Sequence, residues 1–425
     1  MLMERSLQGI MALLLWTGIA YLSHTPPLPS WVEPLTPLPG LILVVNALGP
    51  NPPWVSRLRV QIRPLWVASF FLLAIFSLLL CLTRNQPETD QPIRIVCAAR
   101  SLLAGSNPYA LYEPQCAEEL HYAGGNLFPI ATGAFARFSH TPSPAQMGKV
   151  ELQDQRTNTH GGFSAFGYPP NIILLLLPVA FASWPLIWLW VMALAVFLLW
   201  LIWRASPKAP SWKLLLGWQL LALGIMATAF NLGWDPEYLS YLLLALALAR
   251  FRQPAVSAIA LAAAITTNEL TWVAVPIYLV LTLQENERWR RLLWLGVGLA
   301  IGILPWWLWD HALPTELLKF FRIPLFPGGQ SIGALGVFPV HSIIYLVGMF
   351  LWVAACSWIA WKYPRWRWAM VAAVWGCAAL SSLGQGYYFL PLFWLSPAVL
   401  WGAWQLHHHS LTPNQAEMSL LFHHP

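Results

Sequence analysis

Charge is what this chain has least of. Only 9% of its residues are Asp, Glu, Lys or Arg while 58% are hydrophobic, against about 25% charged in ordinary soluble domains. That excludes a soluble globular protein. Cysteine is also sparse, with five residues at no metal-ligand spacing, so neither a structural zinc site nor a disulfide framework is implied. A small-residue cleavage site is missing after the apolar segment 7–22, where the proline-rich run 24–39 follows instead. The segment therefore reads as a retained helix and not as a cleaved leader. An internal repeat of the kind many transporters carry is missing too. The surplus of base, +6, sits at the ends of apolar runs, which reads as a topology signal and gives no nucleic-acid surface.

What is present is a set of nearly uncharged stretches at 65–82, 184–203, 214–230, 292–309, 337–361 and 387–405. Each approaches the length needed to cross a hydrocarbon core of about 30 Å. The expected fold is all-α and integral to a membrane: a single polytopic bundle over residues 1–425, with about ten to twelve transmembrane or re-entrant helices. The 27 Trp fit a role as interfacial anchors. Trp16, Trp66, Trp184, Trp203, Trp234, Trp272, Trp361 and Trp404 all fall near expected helix ends.

Basic residues cluster at Arg57/Arg59/Arg63, Arg204/Lys208/Lys213, Arg250/Arg252, Arg288/Arg290/Arg291 and Lys362/Arg365/Arg367. Placing all five clusters on the cytoplasmic side follows the positive-inside bias. Residues 83–168 then form a long extracytoplasmic loop, and 406–425, with His407–His409, a cytoplasmic tail. Segments 256–265 and 270–283 become a hairpin turning at Thr266-Thr267-Asn268-Glu269. On this map Asp90, Asp235, Glu237, Glu269, Asp310 and Glu316 all face one side, which argues for one outward polar cavity. Parity demands one irregularity: 172–181 must be re-entrant, or else the first half of a kinked long helix. Broken helices at membrane depth are tolerated where they line a cavity.

The long loop is where chemistry is expected, because so many polar residues add nothing to the stability of a membrane bundle. It opens with Thr89-Asp90-Gln91-Pro92 and closes with Phe166-Gly167-Tyr168-Pro169-Pro170. Thr89 or Asp90 can cap a helix with Pro92 in its first turn and Gly105 as its stop. Ile93, Val96, Cys97, Leu103 and Ala104 mark an apolar stripe with Arg94 and Ser101 opposite, as in an amphipathic helix lying on the membrane surface. A carboxylate such as Asp90 at such a helix start is, by itself, most often a cap. Cys97 and Cys116 can pair if the loop meets an oxidising compartment. Glu269 is an acid in a short hairpin at membrane depth, where ionisable groups are costly and line polar paths.

The spacing of Asp90, Ala98-Ala99 and Leu103-Ala104-Gly105-Ser106-Asn107-Pro108-Tyr109 resembles glycosyltransferase family 87, as does the later Phe166-Gly167-Tyr168-Pro169-Pro170 before a Leu-rich helix. These are integral-membrane enzymes of the GT-C superfamily, including polyprenol-phosphate-mannose-dependent α-mannosyltransferases. Gly328-Gly329-Gln330-Ser331-Ile332-Gly333 and Gly384-Gln385-Gly386-Tyr387-Tyr388-Phe389-Leu390-Pro391 are further similarities. The resemblance implies transfer of a hexose, mannose in that family, from a polyprenyl-phosphate donor to a hydroxyl of a glycolipid or lipid-linked glycan. It implies Asp90 as catalytic base, and Arg94, His311 and Arg322 as contacts to the donor phosphate. Tyr168, Glu269, Gln330, Ser331, Gln385 and Tyr387 would then shape the substrate pocket. No cofactor and no metal ligands are implied, and the partners are the two lipid substrates and the bilayer of the cell membrane. The chain departs from the family at Arg94, where an aromatic is usual, at the 266–269 turn, which lacks a common Lys, and at Tyr387-Tyr388, which lacks a common His. The other readings open to the sequence are a transporter or flippase of lipid-linked sugars and an inactive sugar-lipid-binding relative.

Overall fold

The computed structural model describes residues 90–108, 169–204, 236, 238–309, 343–363, 367 and 369–380. Everything described is helix, turn or loop, with no strand among the described residues. In chain order the helices are α1 (Asp90–Leu103), α2 (Asn171–Leu176), α3 (Trp184–Arg204), α4 (Tyr238–Ala249), α5 (Pro254–Ile265), α6 (Val275–Leu283), α7 (Arg288–Trp309), α8 (Ile343–Lys362) and α9 (Ala369–Leu380). A tighter 3-10 turn follows α2 over Leu177–Val179, and another, Glu269–Ala274, precedes α6. The expected spans 65–82, 214–230 and 387–405 lie outside the described residues, as does segment 7–22.

Two helices, α3 over Trp184–Ile202 and α7 over Arg288–Trp309, are long and apolar enough to cross a membrane. In α7 only 17% of the apolar window is buried within the protein. Leu293, Ile301 and Leu308 point outward from it, as side chains facing hydrocarbon would.

Small residues decide how α5 and α7 meet, and theirs is among the most extensive helix contacts described. Gly298 and Gly302 stand four apart on α7, on one face, and α5 presents Ala262 and Thr266 at the same spacing. A Cβ on Gly298 would lie 2.6 Å from the Ala262 Cβ, and one on Gly302 would lie 2.7 Å from the Thr266 Cγ2. Only glycine lets the two backbones come this close, the usual means of helix association where lipid removes the hydrophobic drive. A similar device joins α8 to α9. The Trp352 indole lies where any Gly376 side chain would be, and its Nε1 donates to the Ala372 carbonyl at 2.8 Å.

The segment 172–181 is not the first half of one continuous long helix. Trp190 Nε1 donates to the Leu175 carbonyl at 2.7 Å. In one continuous helix those residues would stand about 22 Å apart, so the chain folds back between α2 and α3. The hairpin after α5 is also less regular than the sequence implies. Asn268 caps a 3-10 turn by accepting from Leu270 N at 2.8 Å. Pro276 then restarts the chain as α6, where its missing N–H is harmless in a first turn.

The described members of four of the five basic clusters meet at one end of the bundle. Arg250 donates to the Leu201 carbonyl at the end of α3 (3.2 Å) and feels the charge of Arg204. Arg367 pairs with Glu285 at 3.3 Å, and Arg291 lies over the Phe251 ring. The Arg57 cluster lies outside the described residues.

Three expectations need correction. Helix α1 begins at Asp90 and stops at Gly105, whose φ is +77°, but it is not a surface helix with a narrow stripe. Ile93 and the run Ile95, Val96, Cys97, Ala98 and Ala99 are all buried, whereas Leu103 and Ala104 are exposed. The middle of α1 is enclosed by α2 and the turn behind it, and its last turn projects past that cover. Trp184 is no lipid anchor either: it is buried, edge-on to Trp188 with ring centres 5.6 Å apart. Trp272 is half-buried and closes the hairpin by donating to the Ile265 carbonyl at 2.8 Å. Trp361 remains exposed, as an anchor would be.

Candidate functional site

The most concentrated buried polarity among the described residues is the turn after α5. Thr266, Thr267, Asn268, Glu269 and Thr271 are each no more than 2% exposed. Polar groups removed from water must find partners or cost several kcal/mol, of order 2–7 for an amide or hydroxyl, and here the hydroxyls turn inward. Thr266 and Thr267 donate to the carbonyls of Ala262 and Ala263, at 2.8 and 2.7 Å, and Thr271 to that of Asn268 at 2.7 Å. The side chains thereby cap the backbone and leave Glu269 as the group with charge to offer. Glu269 opens the 3-10 turn at 1% exposure and is engaged in a polar or electrostatic contact of its own.

The depth of this turn follows from helix lengths. Helix α5 has 12 residues and starts at the basic end, so its far end is about 18 Å from there. Gly302, which packs on Thr266, is about two-thirds of the way along α7 at 1.5 Å per residue. The acid thus stands well inside the bundle, covered by α9 and touched by α4.

A second segment is bound to it directly. Asn171 N donates to the Thr266 carbonyl at 2.8 Å, and Asn171 Nδ2 to Thr267 Oγ1 at 2.9 Å and to the Ala263 carbonyl at 3.4 Å. Asn171 follows the buried Pro169 and Pro170, so the end of the polar loop is fastened to the Glu269 turn. Helix α1 packs in turn on α2. Arg100 Nε donates to the Ala180 carbonyl at 2.7 Å, and its guanidinium lies 5.4 Å from the centre of the Phe181 ring. One connected unit therefore runs from the helix that Asp90 opens, through α2, to Glu269.

Asp90 and Arg94 lie on α1 in its first and second turns. Tyr168, His311, Arg322, Gln330, Ser331, Gln385 and Tyr387 lie outside the described residues. Asn171 is a structural member of the unit that sequence reasoning did not single out; Arg100, one of the basic residues that the map placed at the outer rim, is instead tied to the Ala180 carbonyl. The signal for Asn171 was there: an amide at the start of a Leu-rich run is costly unless another polar group meets it. Among the described residues no three His, Cys, Asp or Glu side chains gather as a metal set. Cys97 is disulfide-bonded while Cys356 and Cys377 are free thiols. The expected partner Cys116 lies outside the described residues. Comparison with protein-family models, curated proteins and solved structures gives no match.

Proposed function

We propose that this chain is a polytopic membrane glycosyltransferase of GT-C type. It moves a hexose, mannose by its resemblance to family 87, from a polyprenyl-phosphate carrier to a hydroxyl of a glycolipid or lipid-linked glycan outside the cytoplasm. The observation that carries the reading is the joining of the two resembling blocks, the one opened by Asp90 and the one ending at Pro170, to a buried acid through α1, α2 and Asn171. A bundle needing only stability would not collect a fastened loop and a carboxylate at one interior turn. The disulfide at Cys97 supports an oxidising, extracytoplasmic setting for α1.

In this reading the acceptor oxygen attacks the anomeric carbon as the Asp90 carboxylate takes its proton. The bond from that carbon to the phosphate oxygen breaks, and its electron pair leaves on the polyprenyl phosphate. Arg94, His311 and Arg322 oppose the growing charge. A single displacement inverts the anomeric centre and needs one base and no covalent intermediate. Glu269 belongs with Tyr168, Gln330, Ser331, Gln385 and Tyr387 as a group that holds sugar hydroxyls, which a fixed carboxylate accepts well.

The test is transfer itself. Purified protein in lipid nanodiscs, given radiolabelled polyprenyl-phosphate-mannose and a membrane glycolipid extract, should move label into the lipid-glycan fraction. Absence of transfer with mannosyl, glucosyl and galactosyl donors alike overturns the proposal.

A further inference from the structure

At the opposite, basic end the bundle buries more positive charge than the acids among the described residues match. Phe251, itself buried, carries two guanidinium groups: Arg291 at 3.8 Å and Arg367 at 4.1 Å from its ring centre. Stacking on an aromatic ring satisfies part of a cation's demand but none of its N–H groups in the ring plane. Arg291 is 2% exposed and hydrogen-bonds with the side chain of Tyr278, but its Nε and Nη1 have no hydrogen-bond acceptor among the described residues, nor does Arg367 Nε. Among the described residues the carboxylate that meets this pair is Glu285, which takes Arg367 Nη2 at 3.3 Å and is itself substantially exposed. Arg252, exposed on the turn that carries Phe251, adds to the same field.

Burial, above all, brings Arg367 down to about 10, with Glu285 opposing and Arg291 and Arg252 adding to the fall. An uncompensated cation held against desolvation is costly unless an anion completes the site. The surroundings say what kind. Trp289, Trp358 and Trp361 are exposed on the neighbouring helix ends, with Arg288 and Lys362 over the Trp289 and Trp358 rings. Exposed tryptophans beside basic side chains, at the ends of apolar helices, are the composition of a lipid headgroup zone.

We propose that the surface formed by Arg367 and Arg252 beside Phe251, with Arg291 beneath it, binds the phosphate of an anionic phospholipid headgroup. Arg367 and the exposed Arg252 grip the phosphate, and the buried Arg291 adds its charge from within the protein. The phosphate competes with Glu285 for Arg367. The proposal rests on membrane association and not on the sugar chemistry, so it survives if no glycosyl transfer is found.

Native mass spectrometry of the delipidated full chain in detergent tests it, with dioleoyl-phosphatidylglycerol, dioleoyl-phosphatidylcholine and inorganic phosphate as probes. Phosphatidylglycerol should bind at least tenfold more tightly than phosphatidylcholine. Arg252→Gln and Arg367→Gln should each weaken it by about fivefold, the worth of one basic residue at an anionic surface. Arg290→Gln is the control: Arg290 is exposed and paired with Glu287 at 3.2 Å, and its loss should leave the affinity unchanged. Equal weakening by the control variant reduces the effect to diffuse surface charge and overturns the site. Competition by millimolar inorganic phosphate overturns the lipid assignment. If Arg367→Gln lowers the melting temperature of the lipid-free protein, the exposed Arg252→Gln decides alone.

Discussion

Two glycines two residues apart on α7 should respond in opposite ways to the same methyl group. At Gly296 an added Cβ meets nothing within 4 Å, whereas at Gly298 it lies 2.6 Å from the Ala262 Cβ. Carbon atoms settle at about 3.5–4.0 Å, and Ala262 has no flexible end to move aside. Gly298→Ala must therefore part α5 from α7 by about 1 Å along their closest approach. Overpacking of this kind costs about 1–3 kcal/mol. Replacing a helical glycine returns about 0.5–1 kcal/mol, which leaves Gly298→Ala destabilised by about 1–2 kcal/mol and Gly296→Ala unchanged or slightly stabilised. Intrinsic tryptophan fluorescence during heating, in one detergent and at one protein concentration, reads both. Gly302→Ala adds a functional arm. Its Cβ meets Thr266 Cγ2 at 2.7 Å, and Thr266 is held by its bond to the Ala262 carbonyl. It should disturb the Glu269 turn and lower transfer more than Gly298→Ala does at equal loss of stability. If Gly296→Ala melts as early as Gly298→Ala, the close α5–α7 packing is wrong.

Asn171→Ala removes the two Nδ2 bonds and leaves Thr267 Oγ1 short of a donor, while the Ala263 carbonyl keeps the Thr267 hydroxyl. The expected loss is about 1–2 kcal/mol with a fall in transfer, and an unchanged melting curve would show that the loop is not fastened there. Trp190→Phe deletes the bond to the Leu175 carbonyl and should cost about 1 kcal/mol; no cost in thermal unfolding would argue against the fold-back between α2 and α3. Peptide mapping without reductant should find Cys97 cross-linked to Cys116, and Cys356 and Cys377 alkylated only after unfolding. Ready alkylation of Cys97 in the native, unreduced protein would remove the disulfide and with it the support for an oxidising setting.

The apolar elements were legible wherever composition alone determines them. Helix α3 matches the expected 184–203 to within a residue, and α5 and α7 differ from expectation by a few residues at their starts. The 266–269 turn was legible because four polar residues interrupt apolar sequence, and Glu269 because an acid there has no inexpensive way to be idle. Partnership was not legible. Composition cannot say whether Trp184 meets lipid or Trp188, since an indole is at home in either. Nor can it show that α1 is covered by α2, because that cover comes from a segment about eighty residues later, as the 80-residue separation of Arg100 and Ala180 illustrates. Arg291 carried an ordinary topology signal in sequence, and only its packing on Phe251 marks it as a buried charge.

Asp90→Asn is the decisive substitution, since it keeps the size and hydrogen-bonding reach of the side chain at the start of α1 while removing its basicity. Initial rates of label transfer from polyprenyl-phosphate-mannose should fall by at least about a hundredfold, the lower end of what a positioned general base contributes, while the melting temperature stays within a degree or so of the wild type. Transfer at the wild-type rate by a properly folded Asp90→Asn protein would contradict the account at its centre.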